Sequence, residues 1–274
     1  MLLIILVIFF PLYSVVMTSV VSSKEIAEKR YVLFPSTIDL GAYKNIFEGS
    51  NIIISAYKIT LFRVAAGTAA ALLASYFAAY AFAKKDLPGR NGLVLIYYFT
   101  TLFSGGLIPY YITIRFMGLM NNILVYILPM LISVWNTLLI RNFIMNIPES
   151  LVESSLIDGA NEVQVLFRII FPLSVPVLVT IGLFYAIDQW NSWWDAYLFV
   201  SEGSKQPLQL VLRNILALSD VRLKNTGRVV AEVRPPSRAI QNATIVVSTL
   251  PIALVYPFLQ KYFVKGIMIG AVKG

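Results

Sequence analysis

The sequence predicts an all-α integral membrane protein with six transmembrane helices, organised as one domain over residues 1–274. Of its 274 residues, 58% are hydrophobic and only 13% are charged. The mean hydropathy is +0.76, which implies more apolar surface than a soluble core of this size could bury. The apolar residues also fall in long blocks separated by short polar or basic stretches. These observations place the chain in a lipid bilayer.

The composition excludes several classes of chemistry. The chain contains no cysteine and no histidine, which removes thiolate metal sites, disulfides, Ser-His-Asp catalysis and histidine proton relays. No loop carries a compact acidic cluster for a metal, so we predict neither a catalytic nor a metal site. The net charge of +8 comes from Lys and Arg residues between the apolar blocks rather than on one basic face. Nucleic-acid binding is therefore not predicted.

The first two predicted spans cover residues 1–21 and 62–83. No basic residues precede the first apolar block, as they would in a signal peptide, so we interpret it as a membrane helix whose cytoplasmic lead is very short or absent from this chain. The uncharged window Val64–Ala83 is about 30 Å of helix, enough for one crossing. Small residues recur at every fourth position there, which allows other helices to approach closely.

The third and fourth predicted spans cover residues 93–114 and 122–140. A short basic turn, Lys84–Arg90, precedes the third span. Backbone breakers interrupt these two spans: Gly105, Gly106, Pro109 and Pro129. Irregular backbone at membrane depth is tolerated only where protein covers it or where it lines water.

The last two predicted spans cover residues 172–190 and 239–260. The fifth span is expected to begin at Pro172, because proline suits the first turn of a helix. The outer loop between these spans, residues 191–238, contains a one-sided apolar stripe after Pro207 that predicts a helix lying at the membrane surface or against the helix bundle.

A polar stretch, residues 146–171, separates the fourth and fifth spans. Pro148 suits the start of a short helix, and Gly159 can take the left-handed conformation that ends it. Asn161 followed by Gln164 then approximates a capping box for a second short helix. Two short helices at an angle predict a projecting knob, although amphipathicity alone fits an ordinary interfacial loop equally well.

The spacing within this stretch resembles the EAA loop of bacterial ABC importer permeases. Glu153-Ser154-Ser155, then Gly159, then Ile169-Ile170-Phe171-Pro172 follows the pattern of E-A-A, a glycine and I-x-L-P, with Ser-Ser for Ala-Ala and Phe for Leu. The stretches G-G-L-I-P-Y-Y at 105–111 and P-L-Q-L-V-L-R at 207–213 resemble the MalG-like carbohydrate permeases, in particular the subgroup of oligosaccharide importers. The resemblance covers nearly the whole chain from Asn51 onward.

This resemblance implies a type I ABC importer permease fold, in which the loop between spans four and five is a coupling helix seated in a cleft of a cytoplasmic ATPase. It implies that the following residues couple the chain to the ATPase: Glu153, Ser154, Ser155, Asp158, Gly159, Ala160, Arg168 and Pro172. It also implies a multi-pass protein of the bacterial inner membrane with both termini cytoplasmic. Counting Lys and Arg in the loops favours the opposite orientation, because the longer outer loops carry more of them. The orientation therefore rests on the resemblance.

The implied partners are a homologous permease, two ABC ATPase subunits, an extracytoplasmic sugar-binding protein and the lipid bilayer. No cofactor is expected on this chain, since no glycine is followed by lysine and a phosphate-binding loop of the G-x-x-x-x-G-K type is absent. ATP and Mg are expected on the ATPase subunits. The C-terminal tail resembles that of these permeases and has two open interpretations, a contact with the ATPase or a solvated tail.

Candidate substrate-path residues cluster near the outer ends of the second and fifth spans: Arg63, Asp188, Trp190, Trp193, Trp194 and Tyr197. The aromatic residues fit either a sugar platform or an aromatic belt at the membrane interface. Arg63 either reaches the outer interface or faces the cavity and attracts an anionic sugar, such as alginate or another uronate oligomer.

The predicted function is that of a non-enzymatic transport subunit that forms the path for an oligosaccharide together with a homologous permease. Alternating access would be driven by the separate ATPase subunits. The alternative is an ATP-independent secondary transporter or channel, which would be expected to show internal repeats. No such repeat is visible in the sequence.

Overall fold

The computed structural model describes residues 1–29, 32–48, 51–224 and 238–271, and every regular element within them is a helix. In chain order the α-helices are α1 Leu2–Ser19, α2 Ser23–Glu28, α3 Gly41–Glu48, α4 Asn51–Phe62, α5 Thr68–Ala83, α6 Arg90–Leu102, α7 Leu107–Phe116, α8 Val134–Met145, α9 Glu149–Ile157, α10 Glu162–Val165, α11 Phe171–Asn191, α12 Trp194–Phe199, α13 Leu208–Lys224 and α14 Arg238–Ala271. Two π-helical segments, Arg63–Gly67 and Leu166–Ile170, join α4 to α5 and α10 to α11.

The chain forms two compact units. The first contains Met1–Thr60 and Ser201–Tyr256, and the second contains Leu61–Val200 and Pro257–Gly274. In the first unit the Leu208 amide at the start of α13 donates to Thr60 Oγ1 at 2.9 Å. The Tyr57 hydroxyl donates to the Val247 carbonyl of α14. These bonds hold α4, α13 and α14 together.

Polar contacts order the segment after α1 in the first unit. The Glu25 carboxylate accepts from Lys29 Nζ at 2.9 Å and from the Ser36 amide at 3.0 Å. The Lys29 ammonium and the Ser36 hydrogen bonds lower the pKa of Glu25 to about 2. The carboxylate therefore stays ionised, and keeps its partners, down to strongly acidic pH.

The core of the second unit lies between α5, α8 and α11. Its buried members from these helices include Tyr76, Ile140 and Ile181. Two hydroxyl contacts cross this core: Ser75 Oγ lies 2.6 Å from the Tyr185 hydroxyl, and Tyr76 donates to the Leu166 carbonyl at 3.1 Å. The small side chains predicted to admit close packing are found here, since Ala71 and Ala79 are fully buried in the same cluster.

Within the described residues, three helices are long and apolar enough to cross a membrane: Ile52–Ala83, Glu162–Asn191 and Arg238–Val255. Two bent helix pairs raise that number to five if each pair is one crossing. The predicted first span coincides with α1. The described apolar part of this helix, Ile4–Ser19, is shorter than the three helices that could cross a membrane. The count of six spans therefore stays a prediction.

The third predicted span is not one straight helix. Helices α6 and α7 meet at 113° across the break at residues 103–106. Gly106 has φ +83°, and its amide donates to Ser104 Oγ, so the backbone turns sharply before α7 begins.

The fourth predicted span, residues 122–140, also differs from the expectation. It contains two 3₁₀ turns, Ile123–Tyr126 and Leu128–Met130, and the α-helix begins only at Val134 and continues to Met145. Pro129 cannot donate a backbone hydrogen bond, and Ser133 starts a new helix by accepting from the Asn136 amide.

Helix α11 begins at Phe171 with Pro172 in its first turn, as the sequence predicted, but it continues a helix that starts in the loop. The helix is continuous from Glu162 to Asn191. Pro172 is preceded by the π-helical segment Leu166–Ile170, and the wider turn accommodates the missing amide of proline within the helix. The second predicted short helix of the loop is therefore the N-terminal part of a long one.

A helix does occupy the predicted surface stripe of the outer loop, since α13 buries Leu208, Leu210 and Val211. Several basic residues of that loop lie outside the residues whose side chains are described: Arg222, Lys224, Arg228 and Arg234. The side chains of the C-terminal tail, whose contact with an ATPase was left open, lie outside them too.

Two glycines lie where α11 packs against α5 and the π-helical segment that precedes it. A Cβ atom built on Gly67 would lie 2.5 Å from Gln189 Nε2, closer than side-chain atoms pack. A Cβ on Gly182 would meet Leu72 Cδ2 at 3.5 Å, an ordinary contact. Gln189 cannot yield freely, because Nε2 donates to the Tyr126 carbonyl at 3.1 Å.

Replacing Gly67 with alanine should therefore destabilise the protein by about 1–3 kcal/mol, because Gln189 must leave its hydrogen bonds. Gly182→Ala is the matched control, since it adds the same methyl group in the facing helix without overlap. Thermal unfolding of both variants in mild detergent measures the difference. Equal midpoints for the two variants would contradict this packing.

Candidate functional site

The predicted coupling loop begins with α9 and a tight turn. Gly159 has φ +84°, as the sequence predicted. The Gly159 amide donates to the Leu156 carbonyl at 3.1 Å and the Ala160 amide to the Ser155 carbonyl at 2.9 Å, which is the Schellman pattern. This turn directs the chain away from α9 at a fixed angle.

The capping box predicted after the turn is present. Asn161 Oδ1 accepts from the Gln164 amide, and Gln164 Oε1 accepts from the Asn161 amide, each at 2.9 Å. The box fixes the start of the helix that continues to Asn191.

One side of the loop is anchored and the other is exposed. Ile147, Val152 and Ala160 pack against the core of the second unit. The opposite side exposes apolar side chains: Leu151, Leu156, Ile157, Val163 and Phe167. Such a rigid projection with an apolar, partly charged outer face suits a partner protein.

The structure places the predicted coupling residues as follows. Exposed positions are taken by Glu153, Ser154, Asp158, Gly159, Arg168 and Pro172. Ser155 and Ala160 are half-buried at the turn. The Ser154 and Ser155 hydroxyls donate to carbonyls of their own helix, at 3.3 and 2.7 Å, so these serines present small surfaces where the family pattern has alanine.

Two lysines after α5 hold the loop from the side. Lys85 Nζ lies 2.5 Å from Glu149 at the start of α9, and Lys84 forms an ion pair with Glu162 at the start of α10. The Tyr80 hydroxyl also donates to Glu162, at 2.9 Å. Sequence reasoning identified the basic turn and the loop but missed their pairing, for which the opposite charges of the two segments were the available signal.

The second predicted region centres on Arg63, whose side chain has no exposed area. Its Nη2 donates to Asp195 Oδ2 at 2.7 Å, Nη1 to the Ser192 carbonyl at 3.1 Å, and Nε to Gln189 Oε1 at 3.0 Å. The guanidinium carbon lies 4.5 Å from the centre of the Tyr126 ring. The charge is thus paired and enclosed within the second unit.

This geometry differs from both positions considered for Arg63. The side chain neither reaches the outer interface nor faces an open cavity, because an isolated cation inside an apolar helix is costly and Asp195 compensates it. Sequence reasoning missed Asp195, Gln189 and Tyr126 as partners of Arg63. Contacts this distant along the chain leave no local signal.

The aromatic candidates lie at the break between α11 and α12. Trp190 is buried and Trp193 is half-buried, whereas Trp194 and Tyr197 are 48% and 53% exposed. The Trp194 and Tyr197 rings stack with centroids 5.7 Å apart and an interplanar angle of 24°. Asp188, on the last turns of α11, is exposed. The stacked pair offers an exposed aromatic face.

The sequence matches the model of one protein family, described as "Binding-protein-dependent transport system inner membrane component", over residues 1–268. It is 39% identical over 264 residues to the polygalacturonan/rhamnogalacturonan transport system permease protein YtcP of Bacillus subtilis, covering 96% of this chain and 92% of that protein. It is 41% identical over 264 residues to protein LplC of the same organism, covering 96% and 89%.

The structure is similar to a chain in the crystal structure of a bacterial ABC transporter involved in the import of the acidic polysaccharide alginate. The TM-score is 0.85 at 29% sequence identity, and the match covers 95% of this chain and 92% of the other.

Replacing Asn161 with alanine tests the capping box. Loss of the side-chain acceptor should cost about 1 kcal/mol and speed amide hydrogen exchange in residues 161–165 about fivefold. Asn161→Asp retains an acceptor and serves as the control, and exchange in α9 should be unchanged in both variants. Indistinguishable exchange in the alanine and aspartate variants would show that the box does not hold this helix end.

Proposed function

The chain belongs to the family of binding-protein-dependent transport system inner membrane components, and on that premise we propose how its parts divide the work of import. It is the permease component of a sugar ABC importer, as the sequence predicted. The family, the all-helical permease fold and the place in the inner membrane are confirmed. The proposals below concern the coupling loop, the partners and the substrate.

We propose that α9 and the start of α10 dock in a cleft of a cytoplasmic ATPase and transmit its closure. The observation that carries this proposal is the unbroken helix Glu162–Asn191, which joins the loop directly to the far end of the unit. The loop is anchored by core contacts and by the pairs of Lys84 and Lys85, so a push on its exposed side would move that helix as a body.

The energy source lies on other chains in this proposal. The sequence has no phosphate-binding loop, so ATP and Mg are assigned to two ABC ATPase subunits and none to this chain. A homologous permease completes the path, and an extracytoplasmic binding protein delivers the sugar. Docking of the loop on the ATPase requires both termini to be cytoplasmic.

The proposed substrate is an acidic oligosaccharide, such as a uronate oligomer. This proposal is supported by the named substrates of a 39%-identical relative, polygalacturonan and rhamnogalacturonan, and by the alginate importer. The exposed Trp194–Tyr197 pair and the half-buried Trp193 are the proposed contacts for the apolar faces of the sugar rings, and Asp188 for hydroxyl groups. Arg63 is no longer proposed as a sugar contact.

Purification of the intact complex in mild detergent should recover this chain with an ATPase subunit and a second permease. With the binding protein present, oligogalacturonate or oligoalginate should stimulate ATP hydrolysis, and a neutral oligosaccharide of equal length should not. Recovery of this chain alone would contradict the importer assembly. Equal stimulation by neutral sugars would contradict only the acidic substrate.

Replacing Gly159 with aspartate should leave the complex assembled but lower uptake on the order of tenfold or more, because a carboxylate at a docked surface must lose water without gaining a partner. Gly159→Asn is the matched control, since asparagine tolerates the left-handed conformation about as well and adds no charge. Uptake and ATP hydrolysis in proteoliposomes separate coupling from assembly. Wild-type uptake by the aspartate variant would refute the docking role.

A further inference from the structure

We infer that Arg63 and Asp195 are positioning residues for the substrate path, which fix the orientation of α12 and thereby the exposed Trp194–Tyr197 pair. This inference rests on the proposed function, because it assumes that the aromatic pair contacts the saccharide. The proposed role of this buried ion pair is to orient a neighbouring helix.

The position of the Arg63 charge is unusual. Arg63 lies inside a helix long and apolar enough to span the membrane, at the first residue of a π-helical segment. An ionised side chain there is expensive unless it is paired, and π-helical segments are frequently found at functional sites. A buried ion pair adds little net stability over apolar side chains of the same volume, whereas the flat guanidinium fork fixes the angle of its partner.

Helix α12 depends on contacts with other segments for its orientation. It spans only Trp194–Phe199, follows an extended residue at Ser192, and is too short to be stable alone. Near its start, Asp195 receives Arg63 Nη2 at 2.7 Å and Ser192 Oγ at 3.2 Å. At its end, the Phe199 carbonyl accepts from the Asn121 amide at 2.7 Å.

Helix α12 has one buried face and one exposed face. Asp195, Ala196 and Phe199 are buried, and Trp194 and Tyr197 project from the other side, three residues apart. Rotation by one residue turns a helix by about 100° and would carry the rings away from the exposed side. The Arg63–Asp195 pair therefore selects which face of α12 is presented.

The test uses the complete complex in proteoliposomes with its binding protein and an acidic oligosaccharide. Asp195→Asn keeps the shape but leaves Arg63 unpaired, and the double variant Arg63→Gln with Asp195→Asn removes both charges. We expect the KM for uptake to rise roughly two- to tenfold, the range expected for a lost aromatic contact, with little change in ATP hydrolysis in the absence of sugar. Glu202→Gln removes an exposed ion pair with Lys205 and is the control.

A role through the aromatic pair also predicts non-additivity. Adding Asp195→Asn to the double variant Trp194→Ala with Tyr197→Ala should raise KM no further than the loss of both rings alone, because the charge change acts through those rings. Additive effects, or an unchanged KM in both the single and the double charge variants, would overturn the inference. Failure of both charge variants to assemble, with Glu202→Gln intact, would assign the pair a structural role and would also overturn it.

The outcomes separate this inference from the function on which it rests. If the wild-type complex imports the sugar and Trp194→Ala raises KM while the charge variants do not, only the positioning role fails. If Trp194→Ala and Tyr197→Ala leave KM unchanged, the aromatic contact fails and the inference with it. If the wild-type complex imports no sugar, the proposed function itself fails.

Discussion

The enclosure of one positive charge in an apolar helix constrains much of the second unit. Arg63 has no exposed area, and its compensation recruits a carboxylate from α12, a carbonyl from the break before it, an amide from α11 and an aromatic ring from a 3₁₀ turn. Each partner comes from a different segment, so satisfying the charge fixes several backbone paths together. The close approach at Gly67 follows from the same requirement, since the missing side chain of this glycine leaves space for Gln189.

At the opposite end of the same helices, the constraint is mechanical rather than electrostatic. The loop after α8 is rigid because its turn, its cap and its apolar anchors are all satisfied within the chain. Its exposed ion pairs with Lys84 and Lys85 contribute little energy individually, but they define the loop's angle against α5. The unbroken helix Glu162–Asn191 then connects this loop to the network around Arg63, because Gln189 lies on its last turn. Both regions thus act on one helix.

Local features of the chain could be predicted from the sequence, and distant ones could not. Gly159 and the Asn161–Gln164 box follow from short-range turn and capping rules, and both have the expected geometry. Pro172 lies in the first turn of α11 as expected, but no signal in the sequence indicated the π-helical segment that joins α11 to α10 in one longer helix. The partner of Arg63 lies 132 residues away, a separation at which sequence pattern carries no pairing information.

The pairing of Arg63 also changes how this chain could recognise an acidic sugar. A cation that is already neutralised by Asp195 and has no exposed area offers no attraction to a uronate, so charge selection falls to other groups of the complex. On α12 the chain presents a stacked aromatic pair, and near the end of α11 it presents an exposed carboxylate at Asp188. Aromatic faces recognise the apolar side of a sugar ring irrespective of its charge. In the proposed importer this chain therefore recognises the shape of the sugar ring rather than its charge. The buried ion pair supports this recognition by holding the aromatic rings of Trp194 and Tyr197 in place.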